Sequence, residues 1–251
     1  MTYDDYIENP VHKTLKQRKK KKLKKKVKIF FFLVILSLII VFFCSNLSKV
    51  KSIRIDGVES IEKKDITSII SVDKNSYYFL IDKDKVKQEV LKNPSVKSVK
   101  IQVDLIGNVT ISIDEALPIA YALVGTTYYE INDVGHIVEV KEQERLNNLK
   151  TLSYVTGFTD LEMLKDFANG FKDVPSLMQN EMSDIILEPQ PADPTRLKCL
   201  LNDNKILYVR IEDLATRLND DQFSYEAYKT EYSDSCIFSI EGKFVYKQKC
   251  Q

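Results

Sequence analysis

Hydrophobic and polar positions divide the chain into one long uncharged run followed by short periodic segments. Ile29 to Leu47, IFFFLVILSLIIVFFCSNL, carries no charge across 19 residues. A helix needs roughly 20 apolar residues to cross a hydrocarbon core about 30 Å thick. The core helix of a soluble domain would keep a polar stripe, whereas here only Ser37 and the last few residues are polar. The run is longer than the roughly 7–15 apolar residues of a signal peptide, and no small-x-small cleavage site follows it. An uncleaved membrane anchor over 29–47 is therefore predicted. Phe42 and Phe43 stand before Cys44 where a lipoprotein signal needs small residues, which argues against lipidation.

Beyond the anchor the period changes to two. Lys51, Ile53 and Ile55 alternate with Ser52, Arg54 and Asp56, predicting a strand that Gly57 ends. Ser60 is placed to cap a helix over 61–71, with Ile66, Ile69 and Ile70 at helical spacing. Asp82 is placed to cap a second helix carrying Val86, Val90 and Leu91, which Asn93-Pro94 stops. Val99, Ile101, Val103 and Leu105 then alternate with polar residues. After Ile106-Gly107-Asn108, so do Val109, Ile111 and Ile113, which predicts a β-hairpin. The order strand, helix, helix, strand, strand makes a small α+β unit over 50–117.

Residues 118–251 read as a mostly antiparallel β domain with short helices. Strands are predicted over 121–131 and 137–140, around a turn at Asn132-Asp133-Val134-Gly135. Leu161, Leu164, Phe167 and Ala168 mark a helix within 159–171. Further strands are predicted over 185–188, 196–201 and 205–211, with a short helix over 211–219. A last hairpin, 236–240 with 243–247, turns at Glu241-Gly242.

Charge adds an asymmetry that the total of +1 conceals. Residues 1–28 hold 11 Lys/Arg and 3 Asp/Glu, leaving 26 basic and 33 acidic residues for the rest of the chain. The basic flank predicts an N-terminus in the cytoplasm and everything after Leu47 outside it. Lys24, Lys25, Lys26 and Lys28 are expected to contact lipid headgroups, each contributing about 1 kcal/mol beside an anionic leaflet. No aromatic residue is interleaved among these lysines to stack on bases, so nucleic-acid binding is not expected. Beyond the anchor lie Cys199, Cys236 and Cys250, an odd number. Cys236 and Cys250 are the pair available for a disulfide, but a turn at Glu241-Gly242 sets Cys236 opposite Lys247 and not Cys250, which leaves the pairing open.

Signatures of chemistry are sparse. There is no glycine-rich phosphate loop and no Gly-x-Ser-x-Gly elbow. With His12 on the cytoplasmic side and only His136 outside, no histidine metal cluster, cofactor or small-molecule substrate is expected. Acidic pairs such as Asp220-Asp221 read as solvated surface. His136, Cys199 and Arg210 follow the order and rough spacing of the His, Cys and Arg of sortases. That alternative implies a Cys nucleophile, a His acid and an Arg on the oxyanion. Thr195-Arg196-Leu197-Lys198-Cys199 keeps only the Thr and Cys of the "TLxTC" motif, and sortases have no βααββ unit.

The βααββ unit directly after a single N-in anchor resembles the POTRA domain of the bacterial cell-division family FtsQ/DivIB. Asn93-Pro94-Ser95-Val96-Lys97-Ser98-Val99 resembles that family's "NPxVxxA" stretch. Thr110-Ile111-Ser112-Ile113-Asp114-Glu115 with Pro118-Ile119-Ala120 resembles "TxxIxVxExxPxA". Val103, Ile106 and Lys150 depart from the family's usual basic, Pro and Pro residues. The resemblance implies a non-enzymatic divisome scaffold whose outer region binds two single-pass partners, FtsB (DivIC) and FtsL, at the septum. The last strand would offer an unpaired edge to a partner strand. Phe238, Lys243, Phe244, Val245, Tyr246 and Lys247 are the expected contact residues. A POTRA-type chaperone that binds unfolded chains at its sheet edge is the remaining alternative.

Overall fold

The computed structural model describes residues 10–219 and 223–250, with side chains from Lys24 onward except that of Cys44. The start of the basic tail and Asp220-Asp221 thus lie outside the described residues. The chain divides into two units. Met1–Arg54, Val72–Lys83 and Gln102–Thr110 form one, and Ile55–Ser71, Asp84–Ile101 and Ile111–Gln251 form the other.

The first unit is built on helix α1, Pro10–Cys44, about 52 Å long at 1.5 Å per residue. Its apolar stretch, Lys24–Phe43, has a mean hydropathy of 2.6 and no buried residue, so it is long and apolar enough to cross a membrane. The helix stops three residues before the predicted end of the anchor. There the Ser45 hydroxyl donates to the Phe42 carbonyl (3.0 Å) and accepts from the Leu47 N–H (3.2 Å), and Asn46–Ser48 turn as a 3₁₀ segment. Such side-chain bonds to local backbone compete with helix continuation. The chain just beyond is pinned by Val50 N–H to the Ser76 carbonyl (3.0 Å) and Lys51 N–H to the Gly107 carbonyl (2.8 Å). Val50, Val72 and Val109 are buried in this unit.

Strands β1 (Ser52–Asp56), β2 (Val96–Val103) and β3 (Asn108–Glu115) form a three-stranded sheet in the order β1-β3-β2. The helices between β1 and β2 are α2 (Lys63–Ile69) and α3 (Lys83–Val90), giving the expected βααββ order. Ile66, Val86 and Val90 are buried, as are Val99, Ile111 and Ile113. Helix α2 starts later than predicted and Ser60 does not cap it. The N–H groups of Glu59, Ser60 and Ile61 go instead to the Glu115 carboxylate at 2.8, 3.0 and 2.9 Å. These bonds hold residues 59–61 in a loop against Glu115, so the chain enters the helix only at Lys63, with Glu62 at the N-cap position.

The rest of the second unit is one nine-stranded mixed sheet. Its strands are β4 (Pro118–Val124), β5 (Thr127–Asn132), β6 (Ile137–Glu139), β7 (Ser153–Thr156), β8 (Met182–Leu187), β9 (Arg196–Leu201), β10 (Ile206–Arg210), β11 (Ser235–Glu241) and β12 (Phe244–Lys249). Their order is β12-β11-β10-β9-β8-β7-β4-β5-β6. The pairs β10/β11, β4/β7 and β7/β8 are parallel and the others antiparallel. The single strand expected over 121–131 is a hairpin, β4 and β5, reversed at Gly125-Thr126. Gly125 there, like Gly242 in the last hairpin, takes a positive φ that disfavours other residues.

Helices α4 (Gln143–Leu149), α5 (Leu161–Phe171), α6 (Ser176–Glu181), α7 (Leu214–Arg217) and α8 (Tyr225–Glu231) lie between the strands. In α5 the Asp160 carboxylate caps the Met163 N–H at 2.9 Å. Leu164, Phe167, Ala168 and Phe171 are fully buried at i, i+3, i+4 and i+7. Leu161, expected on this face, is exposed. These side chains join Ile185, Leu197, Leu207 and Phe238 in the main core.

Candidate functional site: the sheet edge at the C-terminal hairpin

Strand β12 has β11 on one side and, among the described residues, no strand on the other. The register pairs Glu241 with Phe244, Ile240 with Val245, Ser239 with Tyr246 and Phe238 with Lys247. The turn residues are therefore Gly242-Lys243, one position later than the sequence pattern suggested. In a two-residue hairpin the flanking pair exchanges both backbone bonds, and hydrogen-bonded and open pairs then alternate. Phe244 and Tyr246 thus bond inward to β11. The N–H and C=O groups of Val245 and Lys247 point out of the sheet, toward the side with no strand.

Side chains sort by the same alternation. Phe244 and Tyr246 are 66% and 54% exposed, with ring centroids 6.4 Å apart. Val245 is half-buried against the core on the opposite face. Lys243 and Lys247 are exposed, and the Lys247 ammonium stands 3.2 Å from the centre of the Tyr232 ring. Phe238 requires a correction. It is fully buried, edge-on to Tyr225 and Tyr228, so it is a core residue with no surface for a partner.

Cys236 and Cys250 form a disulfide with their Cα atoms 4.9 Å apart. With the turn at Gly242-Lys243, Phe238 and not Cys236 faces Lys247. An irregularity between Ser235 and Ile237 then shifts the register and brings Cys236 beside Cys250. The end of β12 is held further by Cys250 N–H to the Asp234 carbonyl (2.9 Å) and by Lys249 to the Asp234 carboxylate (2.8 Å). The Lys249 hydrogen bond holds the Asp234 carboxyl below its usual range.

The sortase constellation does not assemble. Cys199 is fully buried in β9, paired with Ile185 and Leu207, and burial pushes its thiol up to about 12. That leaves almost no thiolate, the reactive form, near neutral pH. His136 is engaged with the Pro94 carbonyl (3.1 Å). Arg210 pairs with Asp193 (3.2 Å). Each has a structural partner or environment, and none addresses the others.

Sequence reasoning missed one cluster. Arg145 of α4 pairs with the Glu130 carboxylate at 2.6 Å and donates to the Ser60 hydroxyl at 3.2 Å. Glu130 is almost wholly buried. With Glu115 and its three N–H donors, these residues line a cleft of about 410 Å³. The one signal in the sequence was Glu115 itself, in the segment quoted above for its resemblance.

A family model described as "POTRA domain, FtsQ-type" matches residues 48–116. The chain is 25% identical over 215 residues to the cell division protein DivIB of Bacillus subtilis (strain 168), covering 84% of this chain and 80% of that protein. It is 21% identical over 180 residues to DivIB of Pediococcus pentosaceus, covering 70% of this chain and 48% of that protein, so it spans about half of that relative's length. Among solved structures, the major extracytoplasmic domain of DivIB from Geobacillus stearothermophilus matches at 18% identity with a TM-score of 0.37, covering 48% of this chain and 96% of that one.

Proposed function

The chain belongs to the FtsQ/DivIB family of non-enzymatic cell division proteins, and from that premise we propose that it is a membrane-anchored scaffold of the division machinery. Residues 1–28 are its cytoplasmic tail, and 29–47 its anchor segment. Residues 50–117 are its POTRA domain and 118–251 its β domain, both outside the cytosol. Lys24, Lys25, Lys26 and Lys28, exposed on α1, meet the anionic headgroups of the inner leaflet. At the septum the outer region binds FtsB/DivIC-like and FtsL-like single-pass partners and supports septal wall synthesis.

The observation that carries the partner-binding part is the unpaired edge of β12. Its outward N–H and C=O groups at Val245 and Lys247 can be satisfied by an added strand, while Phe244 and Tyr246 supply apolar contacts beside it. Lys243, in the turn, adds a positive charge at the end of that strand.

The test is Val245→Pro against Tyr246→Pro in the full chain, co-expressed with the partner pair and measured by quantitative co-purification. Proline at 245 removes an N–H that faces outward, which an edge strand tolerates. Binding should fall by about tenfold or more from the lost ladder bond and the ring's bulk. The hairpin itself should survive, because the inward bonds of 244 and 246 are untouched. Tyr246→Pro breaks an inward bond and should disorder the hairpin as well. Wild-type binding by Val245→Pro would reject strand addition at β12 and leave family membership standing.

A further inference from the structure

The outer end of α1 is surrounded by apolar side chains that the fold does not use. Phe42 and Phe43 lie in the last turn of the apolar stretch, and the ring of Phe79 packs on both, with centroids 6.1 and 5.1 Å away. Tyr77 joins the same group, 6.2 Å from Phe43 and 5.8 Å from Phe79. These contacts fix Tyr77 and Phe79 at the depth where α1 leaves the hydrocarbon. Trp and Tyr rings are enriched at that level because they are amphipathic. Leu80, next in the chain, is 68% exposed, and Leu47 just past the helix is 63% exposed.

A second segment reaches the same place. The β2–β3 turn is held to the chain just beyond α1 by Lys51 N–H to the Gly107 carbonyl (2.8 Å). Residues 49 and 77 also pair as an isolated β-bridge. At the tip of this turn Leu105 is 90% and Ile106 59% exposed. Turns are normally polar, and this one is stiffened by Asp104, whose carboxylate accepts from the N–H groups of Ile106 (3.0 Å) and Asn108 (2.8 Å). The bonds from the Asn108 backbone and side chain, with a smaller part from Ile106, hold the Asp104 carboxyl below its usual range. The turn therefore presents two aliphatic side chains on a rigid support and, among the described residues, leaves them largely exposed.

We propose that Leu47, Tyr77, Phe79, Leu80, Leu105 and Ile106 form a membrane-seated face that inserts into the interfacial region of the outer leaflet beside α1. The occupant is lipid because the patch is continuous with a helix end that the membrane itself positions. Exposed apolar area of this kind marks an interaction surface, and at this depth the surrounding medium is headgroup and upper acyl chain. The face would fix the outer region against the bilayer and prevent it from swinging freely on one helix. This rests on reading α1 as membrane-spanning.

The chain contains no tryptophan, so a single introduced Trp reports alone. Leu105→Trp replaces a side chain that is almost wholly exposed and leaves packing untouched; Leu177→Trp, at a position 74% exposed on α6, serves as the reference. Each full-length variant is reconstituted into phosphatidylglycerol/phosphatidylethanolamine vesicles, with and without lipids brominated on the upper acyl chain. Flotation checks insertion and acrylamide probes access from water. The expected result is several-fold stronger quenching by brominated lipid for Leu105→Trp than for Leu177→Trp, with a blue-shifted emission. Equal, acrylamide-dominated quenching of both in floated vesicles overturns the proposal and leaves the anchor intact. Shielding from acrylamide without lipid quenching also overturns it, since a protein surface then covers the face. Failure to float removes the membrane reading and this inference together.

Discussion

Removing the Cys236–Cys250 disulfide with Cys236→Ser/Cys250→Ser should loosen the edge strand that the partner is proposed to use. The bond closes a sequence separation of 14. Constraining a loop of about 15 residues is worth about 3 kcal/mol at 25 °C in the chain-entropy account. Beyond the ladder to β11, few side-chain contacts hold β12, the Lys247 ammonium on the Tyr232 ring being one. Among its side chains only Val245 packs on the core, and burying about half a valine contributes roughly 1 kcal/mol. The Lys249–Asp234 pair is open to water and adds little. The disulfide is therefore the largest side-chain contribution against opening of the hairpin. At 1.4 kcal/mol per factor of ten, its loss should raise the open population roughly a hundredfold. Hydrogen exchange of the full chain in detergent, read by mass spectrometry over 235–250, measures that opening directly. Helix α5, residues 161–171, lies in the buried core and should keep its protection. A loss smaller than about tenfold in 244–249 would mean that the ladder to β11 holds the strand unaided. An equal loss in α5 would mean that the disulfide stabilises the whole unit and not its edge. Either result refutes the reasoning.

Two further predictions follow from buried or bridging groups. Glu115→Ala strands the N–H groups of Glu59, Ser60 and Ile61 and should cost about 2 kcal/mol in urea unfolding, because the site is open enough for water to replace part of the bonding; an unchanged midpoint would show that the carboxylate is ornamental. Cys199 should resist iodoacetamide at pH 8 in the folded chain and react on denaturation. Its raised thiol makes the folded state hold more protons than the unfolded one above the ordinary value of 9.0, so stability should fall as pH climbs past that value, and less so in Cys199→Ala.

What the sequence determined by itself was whatever is written in local periodicity. The uncharged run foretold the apolar part of α1 but not its extension back to Pro10, and period-two alternation foretold β1 and the β2–β3 hairpin. Helical spacing of Leu164, Phe167 and Ala168 foretold α5, though not the Asp160 cap that starts it. Each of these signals spans a dozen or so residues and depends on which face of an element is buried. The edge hairpin was also visible, but its register was not. A shift of one residue in the turn moves every cross-strand pairing, and the disulfide depends on that shift together with the irregularity at Ser235/Ile237. Only the tertiary structure decided these. It alone set β11 parallel to β10 and β4 beside β7, since such pairings join segments far apart in the chain. It gave Glu115 three distant N–H donors that no local pattern encodes, and it sent Phe238 into the core while leaving Phe244 and Tyr246 outside. Alternation shows that two faces differ; what packs against each face is settled by the rest of the fold.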